Sequence, residues 1–211
     1  MKNNIKKLFI VTNLFLIPFV LFAQKTDIKK TEDLKQAFEN YHNKNYSLSF
    51  EQFTNYIEKN KANETLSLEE AYFFQASCAY ELMNNDTDKL LFDFINSFKE
   101  SHRVNDAKFL LANHYMRNQQ FEKAESIYSQ INIKTLPQST KYEYYYKRGH
   151  CQFMQKDYSS AKTSFKNVKD ARSKYAVAAT YFYGHILYEE EEYNKALKEF
   201  LSLKNEKNFG K

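Results

Sequence analysis

The chain has 211 residues, with 17 Tyr and 19 Phe but only three Gly and two Pro. That length buries a sizeable core, and so few turn-forming residues exclude a hairpin-rich β fold in favour of long helices. The formal net charge of +5 is interspersed along the chain with no long basic block, which excludes an electrostatic footprint for nucleic acid.

At the N-terminus, Lys2, Lys6 and Lys7 precede an apolar run from Leu8 to Phe22, and Ala23 follows. A basic start, a short apolar core and a small residue at the cut predict a secretory signal peptide over residues 1–23. A spanning helix needs about 20 apolar residues. This run has fifteen, broken by Asn13 and Pro18, so cleavage is expected rather than a retained anchor. With no Cys at the cut, a lipid anchor has no support. After cleavage, 28 basic residues face 26 acidic ones, a net charge of +2.

Residues 24–211 read as one continuous helical-repeat domain. The set Gly149, Tyr158, Ala161, Phe165 recurs as Gly184, Tyr193, Ala196, Phe200, displaced by 35 residues. Self-similarity at such a period marks stacked helical hairpins. Extending it along the chain gives second-helix aromatic residues Phe53, Phe92, Tyr128, Phe165 and Phe200. Four residues earlier stand Ser49, Asp88, Ala124, Ala161 and Ala196. Positions four apart share a helix face, so the small residue permits close approach while the ring fills the space beside it. The second unit departs from the pattern at Asp88 and Asn85. Ala37, Ala76, Ala112, Gly149 and Gly184 form the matching small series on the first helices.

Five hairpins are expected, at about 28–60, 67–99, 103–132, 139–169 and 173–204. Ser67 with Glu70 and Thr140 with Glu143 predict capping boxes at two helix starts. Cys78 and Cys151 fall at the same repeat place two repeats apart. That is too far for a disulfide, so buried thiols are expected.

The stretches LANHY…FEKAESIY (Leu111 to Tyr128), DYSSAKTSF (Asp157 to Phe165) and EYNKALKEF (Glu192 to Phe200) resemble tetratricopeptide repeats. More narrowly, they look like those of exported, aromatic-rich proteins of Gram-negative envelopes. The resemblance implies an all-α fold, a right-handed α-solenoid of about five TPR-like hairpins. Arg148 and Gln152 stand where the family usually carries Leu and Tyr. They mark either a polar contact within the stack or a looser fourth unit.

In that family the first helices line a concave groove. Carried onto this chain, the groove residues are Phe73, Tyr80, Phe109, Asn113, Met116, Tyr146, His150, Phe153, Tyr181, His185 and Tyr188. Large rings there either grip a peptide or pack neighbouring first helices. His150, His185 and Glu189 carry ligand-type atoms, but the repeat dictates their spacing, so two hydrogen-bonding histidines are expected and no metal. No phosphate-cradling loop, nucleophile elbow or zinc-protease motif is present, so neither catalysis nor a cofactor is expected.

The functional expectation is a non-catalytic protein–protein interaction scaffold at the periplasmic face of the envelope. Its partners would be other envelope proteins or peptide segments, with no membrane span after signal cleavage. The alternative is a repeat platform for an exported glycan or a nutrient-uptake complex. Leu197, Phe200 and Leu203 near the C-terminal end further lead us to expect a continuing array or self-association there.

Overall fold

The structure, a computed structural model, describes residues 32–62 and 66–204. The expected signal peptide, the start of the first hairpin and residues 205–211 lie outside the described residues. Among the described residues every regular element is helical. No described helix is long and apolar enough to cross a membrane.

The chain divides into two compact units, one up to Asn84 and one from Asn85 onward. In the first, α1 (residues 32–42), α2 (Tyr46–Asn60) and α3 (Leu66–Glu81) pack through a ring cluster. Phe38 meets both Phe53 and Phe74 edge-on, with centroids 5.2 and 4.9 Å away. The small Ser49 lets α2 close on α1, and its hydroxyl donates to the Ala37 carbonyl at 2.9 Å.

The second unit contains α4 (Thr87–Ser97), α5 (Val104–Arg117), α6 (Phe121–Ser129), α7 (Gln138–Met154), α8 (Tyr158–Lys166), α9 (Ala176–Glu189) and α10 (Tyr193–Leu203). Helices α5–α6, α7–α8 and α9–α10 pair as hairpins, and each hairpin packs on the next through α6–α7 and α8–α9. Tyr128, Tyr144 and Cys151 centre one core, and Phe165, Val168 and Ile186 the next.

The inter-helix turns explain how a chain so poor in glycine folds back repeatedly. Each first helix ends at a non-glycine residue in the left-handed region: Lys44, Met83, Gln119, Lys156 and Glu191, with φ of 56–63°. Each lies seven residues after the small residue of its helix. The same two backbone bonds close every turn; at α5, for example, Gln120 N–H reaches the Tyr115 carbonyl at 2.9 Å and Gln119 N–H that of Met116 at 3.0 Å. This is the paired-bond C-terminal cap that glycine usually serves. Here hydrogen bonding holds residues that carry a side chain in that conformation.

Two local expectations are corrected. Phe92 is 55% exposed, whereas Leu91, Thr87 and Phe94 are buried. The second-helix register at α4 is therefore Thr87 and Leu91, one residue earlier than Asp88 and Phe92. Three residues beyond each anchor, Tyr56, Phe94, Ile131, Val168 and Leu203 are all buried, which fixes that register independently. The Thr140 capping box is also absent. Helix α7 starts at Gln138 behind Pro137, so Thr140 lies inside it, and Glu143 pairs with Lys147 at 2.5 Å.

Candidate functional site: the first-helix face

In the second unit the first helices approach one another directly, α5 to α7 and α7 to α9, with no comparable approach of α6 to α8 or α8 to α10 among the described residues. The first helices α5, α7 and α9 thus share one face of this unit and form a continuous wall.

Along that wall, the rings of α7 and α9 interlock. Phe182 lies edge-on to His150 at 5.2 Å and to Phe153 at 5.1 Å, and stacks on Phe165 at 5.4 Å. Tyr146 stacks on Tyr175 at 5.1 Å, and His185 stands edge-on to Phe153 at 5.5 Å. Tyr146, His150, Phe153 and His185 are thus half-buried, whereas Tyr181 and Tyr188 are exposed. Phe109 and Met116 are half-buried on α5. Asn113 is buried, and its Oδ1 accepts from Tyr128 Oη at 2.6 Å and Lys147 Nζ at 2.9 Å. In the first unit, Tyr80 is half-buried and Phe73 is buried, edge-on to Phe74.

No protein-family model matches the chain, and no curated protein sequence does. Solved structures do match. The crystal structure of MamA protein has a TM-score of 0.65 at 12% identity, over 82% of this chain and 89% of that one. The nearly identical TPR-like repeats of a Podosopora anserina kinesin light chain give 0.62 at 12% identity, over 82% and 92%. A Rap protein complexed with Competence and Sporulation Factor gives 0.50 at 20% identity, over 80% of this chain and half of that one. The chain has the tetratricopeptide-type fold.

Within these tetratricopeptide-type hairpins, Arg148 and Gln152 make the polar contact that their sequence positions left open. Both converge on Glu125 of the preceding hairpin. Arg148 Nε and Nη2 donate to Glu125 Oε1 at 3.0 and 2.9 Å, and Gln152 Nε2 donates to the same oxygen at 3.2 Å. Ser164 Oγ donates to Gln152 Oε1 at 2.7 Å, and Arg148 Nη1 to Tyr144 Oη at 3.1 Å.

Burial lowers the pKa of His114 and His150 below the usual imidazole range, and desolvation raises that of Tyr146. The Nδ1 atoms of His150 and His185 are buried with no hydrogen-bond partner among the described residues. His185 Nδ1 lies 3.8 Å from a Glu189 carboxylate oxygen. Burial also pushes the Cys78 and Cys151 thiols up to about 11 and about 12. Both are free and buried, the arrangement expected of packing residues rather than nucleophiles.

The sequence pattern did not single out Phe182 or Lys147. They share one repeat place, one as an aromatic hub and the other as a cation, 5.6 Å from the Phe109 ring centroid. A ladder built by matching residue type at each place passes over such a position.

Proposed function

We propose that the chain is a non-catalytic scaffold that holds a peptide or protein segment against the wall of α5, α7 and α9. One observation carries this reading: the wall is half-buried in its centre and exposed along α9, where Tyr181 and Tyr188 project beside His185. Rings held by their neighbours offer contact area at little entropic cost, and imidazole nitrogens beside them add register. A fold neighbour of this architecture is complexed with Competence and Sporulation Factor, which supports the reading. The basic, apolar and small-residue order of residues 1–23 supports export, with action at the periplasmic face of the envelope.

The test is binding to immobilised peptide and glycan libraries, comparing the chain with a Tyr181→Ala/His185→Ala variant whose helicity is checked by circular dichroism. Peptide binding by the chain that drops at least tenfold in the variant is the expected result. Equal binding by both removes the wall from the reading. Binding to glycans alone replaces it with the glycan-platform alternative.

A further inference from the structure

In each first helix of the second unit, the residue just after the small one is polar. Asn113 follows Ala112, His150 follows Gly149 and His185 follows Gly184. Each of the three has one polar atom already engaged or enclosed. Asn113 Oδ1 accepts from Tyr128 Oη and Lys147 Nζ. An ammonium only donates, so Lys147 fixes the amide with its Nδ2 turned the other way. The Nδ1 atoms of His150 and His185 are buried without a partner among the described residues. Rings of Phe121, Tyr146 and Phe182 lie within 6.5 Å of the His150 ring, and those of Phe153 and Tyr181 stand beside His185. The Glu189 carboxylate, 3.8 Å from His185 Nδ1, is beyond hydrogen-bond reach. A buried N–H without an acceptor is rarer than a buried lone pair without a donor, so in the neutral imidazoles the proton belongs on Nε2. Asn113 Nδ2 and the two Nε2 atoms are not enclosed and make no hydrogen bond among the described residues. The wall therefore carries a row of three N–H donors, one per hairpin, with no acceptor among them.

An ordinary peptide strand interleaves N–H groups with its carbonyls, and any N–H set against this row would lose water and gain no partner. Proline offers the carbonyl without the N–H. A polyproline II helix has three residues per turn and a rise of 3.1 Å, so the carbonyls of every third residue face one way about 9.3 Å apart. Packed neighbouring helices lie about 8–10 Å apart, and α5, α7 and α9 approach one another directly. We infer that the row binds a proline-rich segment in the polyproline II conformation, lying across α5, α7 and α9 and giving one carbonyl each to Asn113, His150 and His185. This rests on the wall being the binding surface. Three such contacts span about 19 Å, or about seven residues. Tyr181 and Tyr188, 41% and 56% exposed on the same helix as His185, supply the rings on which proline packs.

Two measurements test the inference. Long-range nitrogen–proton NMR of the free chain is expected to find His150 and His185 in the Nε2–H tautomer. The Nδ1–H tautomer at both overturns the donor row without bearing on whether the wall binds peptides. Titration with an acetylated oligoproline of about nine residues is expected to show binding at least tenfold tighter than a Gly–Ser peptide of the same length. His150→Phe/His185→Phe keeps the rings and removes two donors, and is expected to lose at least tenfold in oligoproline affinity with unchanged helicity. Should that variant fail to fold, the imidazole signals of the unaltered chain decide: oligoproline is expected to shift both Nε2 resonances, and no shift overturns the inference. Oligoproline affinity equal to that of the Gly–Ser peptide, or equal in the folded variant, also overturns it. If the chain captures other peptides through Tyr181 and His185 while ignoring oligoproline, this inference fails and the proposed function stands. If no peptide of any kind binds, both fail.

Discussion

Replacing Gly149 with Ala should destabilise the protein, while the same change at Gly184 should not. Both glycines sit inside first helices, where Ala is the better helix former by about 1 kcal/mol. A Cβ at Gly149 would lie 3.0 Å from Phe165 Cε1 and 3.0 Å from Ser164 Cβ. Phe165 is fully buried and stacked on Phe182, so neither contact can yield without moving a backbone. Overpacking of this kind costs about 1–3 kcal/mol, leaving a net loss of about 1 kcal/mol after the helical gain. At Gly184 the approach is nominally closer, 2.8 Å to Phe200 Cε1, but every close atom belongs to that one ring. Phe200 is only half-buried and can swing outward, so the helical gain survives and the change is neutral to about 1 kcal/mol stabilising. Urea melts followed by far-UV circular dichroism measure both. With a slope near 2 kcal/mol per molar, a loss of 1 kcal/mol lowers the midpoint by about 0.5 M. Phe165→Leu in the Gly149→Ala background should recover part of that loss. If Gly149→Ala raised the midpoint as much as Gly184→Ala, the helix crossing would not be closed by the glycine and the reasoning would fail.

Three further outcomes are expected. Glu125→Ala leaves Arg148 and Gln152 without their shared acceptor and should cost about 1–3 kcal/mol, with non-additivity against Arg148→Met in a double-mutant cycle. His114 and His150 have folded-state pKa values lowered by burial, so the unfolded chain takes up their protons first. Stability is then complete above the unfolded imidazole value of about 6.5 and falls as pH drops from there toward the folded values. Chemical denaturation between pH 8 and pH 5 should show this, with a shallower slope in His150→Gln; a flat profile would contradict it. Finally, a disulfide-exchange reagent at pH 8 should titrate two thiols in denatured chain and almost none in the native protein; rapid native reaction would show that Cys78 or Cys151 is accessible.

The repeat architecture was legible because it is written in residue size. Ala37, Ala112, Gly149 and Gly184 mark the crossings, and Phe53, Tyr128 and Phe165 fill them. At α4 the reading slipped by one residue because it required a ring. Leu91 fills that space equally well, and Thr87 serves as the small residue. The turns carried no glycine signal because backbone bonds, not residue choice, hold Gln119 and its equivalents left-handed. Arg148 and Gln152 were visible as departures, yet Glu125 stands 23 residues before Arg148, on another helix, and no local pattern names it. On the first-helix face, sequence placed the rings by repeat position. How deeply each ring sits depends on Tyr175 and Phe182, which belong to the neighbouring hairpin.

Hairpins this alike carry a hazard during folding, because one can dock on the wrong neighbour. The ion pairs at the two junctions have opposite polarity at the same repeat place. Glu125 on α6 awaits a cation and receives Arg148; Lys162 on α8 awaits anions and receives Glu190 and Glu192. If the α9–α10 hairpin seated itself on α6, glutamates would face Glu125, and the repulsion would release the misplaced pair before it annealed. The two junctions are therefore matched by charge as well as by chain connectivity, and exchanging Glu125 and Lys162 would set like charges against each other at both while leaving every hydrophobic contact in place.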